Sequence, residues 1–557
     1  MTKRSLLVVV LLTATAAALS GTARQAVSPE ARVDAVLAKW TTASPGCAVG
    51  LSQNNKSVLQ KAYGMADLEH DVPIKPDTIF EAGSVSKQFT AAAVLLLARD
   101  GKLSLDDQVR KYIPELPDYG APLTIRHMLN HTSGLRDWGN VAAIAGWPRG
   151  TRTHTHANVL DIVSRQRELN FPSGTRYSYC NTGYNLAAII VARVSGQSFA
   201  EFTRARIFTP LEMMRTSWRD DYTRIVKDRA IAYSDGPGGF TTEMPFENVH
   251  GNGGLLTTVG DLLRWTSNFT HPVVGDAAFV KEELEPGRFN DGRQHNYGLG
   301  LIVGTYRGLR EVSHSGATAG YRAWLSEYPE RQLTVAVLCN VSSGNATQYA
   351  HAIADLYLGL PKPAGPAAPA NGGRGNGASG TVPASSALDA LAGMYRRTDT
   401  GEPITVSRAG DLLVQGGTRL TARSNTRFAA ANGLVYDFSA DGLKVADPFG
   451  SIDLFARLRT EELAPKPLAG YVGTYNSDEA ETTLVAAVDG ESLVLKRRPD
   501  SVIRLTPIYA DAFRGAIGFV RFHRDATGQI ISLGVTQDRV WDIRFQRSRP
   551  SMNSARP

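Results

Sequence analysis

The sequence predicts one large domain of the α/β or α+β class followed by two small antiparallel β-barrels, and three observations carry that prediction. From about residue 27 to 360, strand-like apolar runs ("VAVLC", "GLGLIV") mix with helical ones ("AAVLLLARDGK", "NLAAIIVARVSG", "VGDLLRWTSNF"). Composition then breaks once, at "PKPAGPAAPANGGRGNGASGTVPASS", residues 361–386. So much Pro, Gly and Ala cannot bury a core, so this stretch reads as a flexible linker. Beyond it, short alternating apolar segments between turn residues dominate, and they repeat. Gly393, Tyr395, Gly410, Leu413 and Val414 recur as Gly473, Tyr475, Gly490, Leu493 and Val494, at a constant offset of 80. Each copy, 387–460 and 466–548, has the length and strand spacing of a small antiparallel, lipocalin-like barrel.

Taken from the N-terminus, the first element is a leader. "MTKRSLLVVVLLTATAAALSGTARQA" places two positive charges before an apolar run and then small residues. That is the pattern of a cleaved secretory signal, assigned to residues 1–23, and it predicts a secreted or periplasmic protein. A retained anchor is the alternative, and the run is short for a bilayer span. The chain has 557 residues, too many for a single core, with 43% hydrophobic and 20% charged residues, the composition of a soluble globular protein. Its formal charge of +7 is small for this length and forms no run, so no nucleic-acid partner is expected. Three cysteines, Cys47, Cys180 and Cys339, make no disulfide framework and have no zinc-ligand spacing. Cys47 and Cys339 fall in strand-like runs; buried free thiols are the expectation, with a bridge between adjacent strands as the alternative.

The chemistry concentrates in three segments. In "FEAGSVSKQFTAAAVLLLARDGK", residues 80–102, Ser84 and Lys87 stand at i and i+3 on one helical face, at the head of a helix apolar on all sides. Gly83 permits a sharp turn into it. Desolvation there lowers an ammonium pKa toward that of a useful base, giving a serine nucleophile with its activator. S-x-x-K is a weak pattern alone, and a capping serine beside an exposed lysine is the bland account. Ser84 to Lys87 is nevertheless the sole S-x-x-K in the chain, and there is no G-x-S-x-G elbow. The second segment, "YSYCNTGYNLAAIIVARVSG", brings Tyr179 and Asn181. A tyrosine near an ammonium ionises more readily and shares proton transfer, while the amide holds Lys87 or a substrate. The third, "EVSHSGATAGYRAWLSEY", brings His314, Ser315 and Gly316 ahead of a strand; a strand glycine admits close approach of a ligand or another backbone.

In this order the three motifs resemble the penicillin-recognising serine hydrolases: class C β-lactamases, DD-peptidases, D-aminopeptidases and related esterases. "LTIRHMLNHTSGL" (123–135) and "GNGGLLTTVGDLLRW" (251–265) are similar to that family's connecting segments. The resemblance covers roughly residues 30–360 and implies a β-lactamase/transpeptidase-like domain, an antiparallel sheet flanked by helices plus an all-α region. The catalytic domain followed by two barrels is similar in plan to the D-aminopeptidase branch. The resemblance also implies catalysis by Ser84, Lys87 and Tyr179 through an acyl-enzyme, substrate contacts from Asn181, His314, Gly316 and Ala317, an oxyanion hole from the backbone N–H groups of Ser84 and Ala317, and no metal or organic cofactor. The expected substrate is a small molecule or short peptide.

One departure bears on substrate. Many relatives of this kind carry Lys-Thr-Gly where this chain has His314-Ser315-Gly316, and histidine near neutral pH is mostly uncharged. Efficient β-lactam hydrolysis is therefore not expected; a D-amino-acid peptide, amide or small ester is. A binding or sensor protein that acylates and barely turns over, a β-lactamase or DD-carboxypeptidase, and a scaffold with a retired site are the competing readings. Arg322 or Arg176 are candidates to restore a positive charge at the site. Cys180 is expected beside the site in a packing role, and His250 along the cleft. His154 and His156, in H-x-H spacing, lack a third ligand for a metal.

Overall fold

The computed structural model describes residues 28–360, 385–410 and 412–548. The leader at 1–23 and the linker residues 361–384 lie outside the described residues.

The first domain is built on six antiparallel strands: β1 (Cys47–Gln53), β2 (Lys56–Tyr63), β3 (Ile302–Tyr306), β4 (Leu309–Thr318), β5 (Tyr321–Tyr328) and β6 (Leu333–Cys339). Their order is β3-β4-β5-β6-β1-β2, so the N-terminal hairpin completes a sheet whose other strands lie some 250 residues later. Alternation divides its faces. Cys47, Val49, Leu51, Val335 and Val337 pack under helices α1 (Pro29–Leu37) and α5 (Ala346–Leu358). Ala48, Ala336 and Leu338 face the larger core, which takes in α2 (Ser86–Arg99), α3 (Asn181–Ser195) and α4 (Val259–Ser267). The segment between β2 and β3 carries the all-helical region. Residues Ser86 to Leu97 of α2 are buried on every side, as the unbroken apolar run requires.

Cys47 and Cys339 stand directly opposite on β1 and β6, Cα atoms 4.0 Å apart, and form a disulfide. Free thiols were the expectation here; pairing register, invisible in the sequence, decides otherwise.

Residues 393–547 form two closed eight-stranded barrels, each an up-and-down meander. The first runs from β7 (Gly393–Arg397) to β13 (Gly442–Ala446) and β14 (Ile452–Arg457); the second runs from β15 (Gly473–Ser477) to β21 (Ile530–Gln537) and β22 (Val540–Arg547). The repeated Gly-x-Tyr marks the seam where each barrel closes. Tyr395 pairs with Arg457 across the first seam and Tyr475 with Arg547 across the second. Each tyrosine hydroxyl donates to the carbonyl four residues earlier, Leu391 at 2.7 Å and Tyr471 at 2.8 Å. Each closing arginine lies over its tyrosine ring, at 5.7 and 6.0 Å.

Both barrels dock on the first domain, by different means. The second shares its hydrophobic core with that domain and adds a buried ion pair, Arg136 Nη1 to Glu479 Oε1 at 2.7 Å. The first keeps its own core and is held by polar contacts, Arg176 to Asp399 (2.7 Å) and Asp453 (3.3 Å) and the Tyr177 N–H to Ser451 Oγ (2.7 Å), together with the Phe449 ring against Tyr177.

Candidate active site

Ser84 sits in a single turn of 3₁₀ helix, Gly83–Val85, that leads into α2. Gly83 takes φ +51°, and a Cβ there would lie 2.6 Å from the amide nitrogen of Ala317 on β4. A Cβ on Gly316 would fall on the carbonyl oxygen of Ala82. Two glycines thus allow the turn that carries Ser84 and β4 to press backbone against backbone. Gly316 therefore stands behind the cavity and is absent from its lining; Ser315 and Ala317 line it. Gly316 was expected as a substrate contact; on its turn-facing side, the place a side chain would take is held by the Ala82 carbonyl.

Lys87 is fully buried, and its Nζ donates to Ser84 Oγ (3.1 Å), Asn181 Oδ1 (3.0 Å) and the Asn252 carbonyl (2.7 Å). Burial holds its ammonium well below the usual lysine range, and the nearby Arg539 guanidinium pushes further in the same direction. Tyr179 hydrogen-bonds Ser84, and its ring lies 4.7 Å from Lys87 Nζ. Contrary to the expectation of easier ionisation, burial raises the Tyr179 pKa, outweighing the Ser84 bond and Arg539, which lower it. A lysine that is itself driven neutral offers little charge to favour a phenolate.

His314 is 2% exposed with both ring nitrogens engaged: Nε2 with the Tyr297 hydroxyl (2.8 Å) and Nδ1 with the Ser315 carbonyl (2.6 Å). The carbonyl demands N–H on Nδ1, so Nε2 accepts from Tyr297. Burial, then the proximity of Lys87, pushes its pKa down to about 3. It supplies no cation at neutral pH.

A cavity of about 490 Å³ opens over Ser84, lined by Tyr179, Asn181, His314 and Ala317 among others. All the motifs singled out in the sequence converge there, and residues 27–359 match the family described as Beta-lactamase. The chain belongs to the beta-lactamase family. It is a serine hydrolase of that penicillin-recognising group. It is 26% identical over 515 residues to a D-aminopeptidase of Brucella melitensis, covering 88% of this chain and 93% of that protein. It is 29% identical over 326 residues to a D-aminopeptidase of Cereibacter sphaeroides, covering 58% of this chain and 62% of that one. In fold it is similar to an octameric penicillin-binding protein homologue from Pyrococcus abyssi (TM-score 0.54, 22% identity, 85% of this chain and 98% of that chain). It is also similar to a D-amino acid amidase from Ochrobactrum anthropi SV3 (TM-score 0.51, 22% identity, 59% and 97%). Among the described residues of this beta-lactamase-family enzyme, no helix is long and apolar enough to cross a membrane.

Several residues of the site escape sequence reasoning. Asp137 caps a helix, accepting from the N–H of Gly139 (3.1 Å), and also takes the N–H of Asn181 (2.7 Å), so it fixes the start of α3. Asn252 lies in the "GNGG" segment quoted above, which was the available signal. Phe449 and Arg539 come from the barrels and had none. Phe449 stacks on Tyr177 at 4.2 Å; the Arg539 guanidinium lies 4.9 Å from the Tyr179 ring centroid. Of the two arginines expected to restore charge, Arg176 is tied to the first barrel, and Arg322 donates to the carbonyls of Ala319 and Tyr321 and lines a neighbouring cavity. Cys180 is buried 3% exposed, and burial raises its thiol pKa to about 12, which makes it inert. His250 packs against His156, ring centroids 4.2 Å apart and tilted by 43°, and is not in the lining, and His156 opens a helix instead of sharing a strand face with His154.

Proposed function

We propose that this enzyme hydrolyses an amide or ester of the D-amino-acid type through an acyl-enzyme on Ser84, and that β-lactams are poor substrates. The observation that carries the reading is Lys87: a fully buried amine, depressed in pKa, with Nζ 3.1 Å from the Ser84 hydroxyl. Neutral Lys87 keeps its two N–H groups on Asn181 Oδ1 and the Asn252 carbonyl, turns its lone pair to the Ser84 hydroxyl and takes the Ser84 proton as Oγ attacks the carbonyl carbon. The oxyanion settles between the N–H groups of Ser84 and Ala317, worth roughly 3 kcal/mol for a donor of this kind. Tyr179, kept neutral by burial, passes a proton to the leaving group and regains it through Lys87. Water then enters, is deprotonated by the same pair, and releases the acid. Asn181 fixes Lys87 through its carbonyl oxygen, which leaves its amide N–H groups for a substrate carbonyl. Relatives named D-aminopeptidase support the choice of D-amino-acid substrates, and a neutral His314 in place of a lysine supports the weak β-lactam activity. Export is part of the proposal, supported by the leader and by a Cys47–Cys339 disulfide suited to an oxidising compartment.

The test uses purified protein with p-nitrophenyl acetate, nitrocefin and D-alanine p-nitroanilide. The expected result is turnover of the ester or the D-alanyl substrate, little of nitrocefin, and a loss of roughly a thousandfold or more in Ser84→Ala. Near-normal hydrolysis by Ser84→Ala would falsify the mechanism.

A further inference from the structure

The charge around Ser84 is one-sided. The cavity lining contains no Asp or Glu. The basic groups in it (Arg149, Arg539) and just beneath it (Lys87) differ in what remains of their charge. Lys87 is driven toward the neutral amine. Arg149 is already spent on Glu247, gripping both carboxylate oxygens. Asp137, close behind the wall, is spent on the N–H groups of Gly139 and Asn181. That leaves Arg539, on the tight turn between β21 and β22 of the second barrel. Its carboxylate partner is its own neighbour Asp538, at 3.3 Å and 82% exposed, a surface pair that contributes little. The turn itself is fixed: the Arg539 carbonyl accepts from the Asp137 N–H (3.1 Å) and from Asn170 Nδ2 (3.0 Å). The backbone is clamped, and the guanidinium reaches over Tyr179 toward the nucleophile.

A guanidinium presents a planar fork that matches a carboxylate, and one held at the rim of a partly desolvated cavity binds anions more strongly than one in open water. A free α-ammonium, which the substrate of an aminopeptidase carries, would find a cation and no acceptor carboxylate in this lining. We propose that Arg539, delivered by the second barrel, is the specificity residue of the Ser84 site and binds a carboxylate of the substrate. Among D-amino-acid amides and esters, the preferred ones then carry a negative charge within reach of the scissile bond, and a free aminoacyl compound such as D-alanine p-nitroanilide is turned over more slowly. This rests on the reading that Ser84 is the nucleophile.

Two matched pairs test it on the whole chain. Mono-p-nitrophenyl glutarate against p-nitrophenyl valerate places the charge on the acyl side. The N-acetylglycyl thioester of thioglycolate against that of its methyl ester places it on the leaving side. The wild type is expected to favour the charged member of at least one pair by about tenfold or more in kcat/KM, chiefly through KM. Arg539→Ala should bring that ratio toward one, Arg539→Lys should retain part of it, and Arg539→Glu should turn preference toward D-alanine p-nitroanilide. The pair that responds tells which side carries the charge. An equal ratio in wild type and Arg539→Ala, with thermal stability unchanged, overturns the proposal. No hydrolysis of any pair, with no mass gain at Ser84, removes the serine-hydrolase reading and this proposal with it. Hydrolysis of the neutral members alone leaves the nucleophile standing and sinks only the carboxylate site.

Discussion

The two barrels present the same hairpin to the same cavity and put different chemistry on it. In each, the turn before the last strand reaches the Ser84 pocket: residues 447–451 between β13 and β14, and residues 538–539 between β21 and β22. The first offers Phe449, stacked on Tyr177; the second offers Arg539. Where the repeats agree, at Tyr395 and Tyr475 or Arg457 and Arg547, they share a closing seam that any such barrel must solve. The tips carry no such burden, so they are free to differ. The two copies share their closure and differ in the residues they point into the neighbouring cleft.

The comparison breaks most severely at the second barrel's anchor. Arg136 and Glu479 have side chains 1% and 11% exposed, and Glu479 also accepts from the Arg167 N–H at 2.7 Å. Glu479→Ala strands a buried guanidinium at a cost of about 3–5 kcal/mol. The second barrel is expected to loosen, with thermal unfolding splitting into two transitions and charge selectivity at Ser84 lost with it. A single transition at the wild-type temperature would show that the shared apolar core holds the barrel alone.

A second contrast is electrostatic. In the proposed mechanism Lys87 must be unprotonated to serve as the base, so kcat/KM is expected to rise with pH through its depressed pKa. Removing the Arg539 charge removes one of the causes of that depression, and the acidic limb should move to higher pH in Arg539→Ala. Phe449→Ala carries no charge change, and its limb should stay in place. Matching shifts in the two variants would mean that general loosening, not charge, sets the limb.

Smaller effects belong to the first barrel. Phe449→Ala forfeits the stack on Tyr177, a contact worth about 1 kcal/mol, and should show as a modest rise in KM for substrates with an aromatic group. Arg176→Ala cuts half-exposed pairs to Asp399 and Asp453, each worth about 0.2–1 kcal/mol. Differential scanning calorimetry at low and high salt should detect a slight loss that salt erases; a loss indifferent to salt would point to packing instead.

Much of the catalytic domain could be read from local pattern. Ser84 and Lys87 are three apart on one helix, and an apolar run on every side of that helix guarantees its burial and the lysine's desolvation. The repeat at an offset of 80 announces two copies of one small unit. These are short-range facts, and sequence spacing records them. For Tyr179 local pattern points the wrong way because burial competes with charge, and the balance of the two depends on a lysine whose own state is set by the fold.

What tertiary structure alone decided is everything that depends on contacts between distant segments. Cys47 meets Cys339 because β1 inserts beside β6, 292 residues on. Gly316 lies behind the cavity because β4 abuts the nucleophile turn. Arg539 enters the pocket because the second barrel docks through Glu479 with one particular hairpin inward, and no local pattern marks that turn out from the barrel's six others. Sequence by itself determined which residues could perform the chemistry. The choice of which charge faces them belongs to the packing of whole domains, since buried surface and a few desolvated pairs, not local pattern, fix how one domain sits against another.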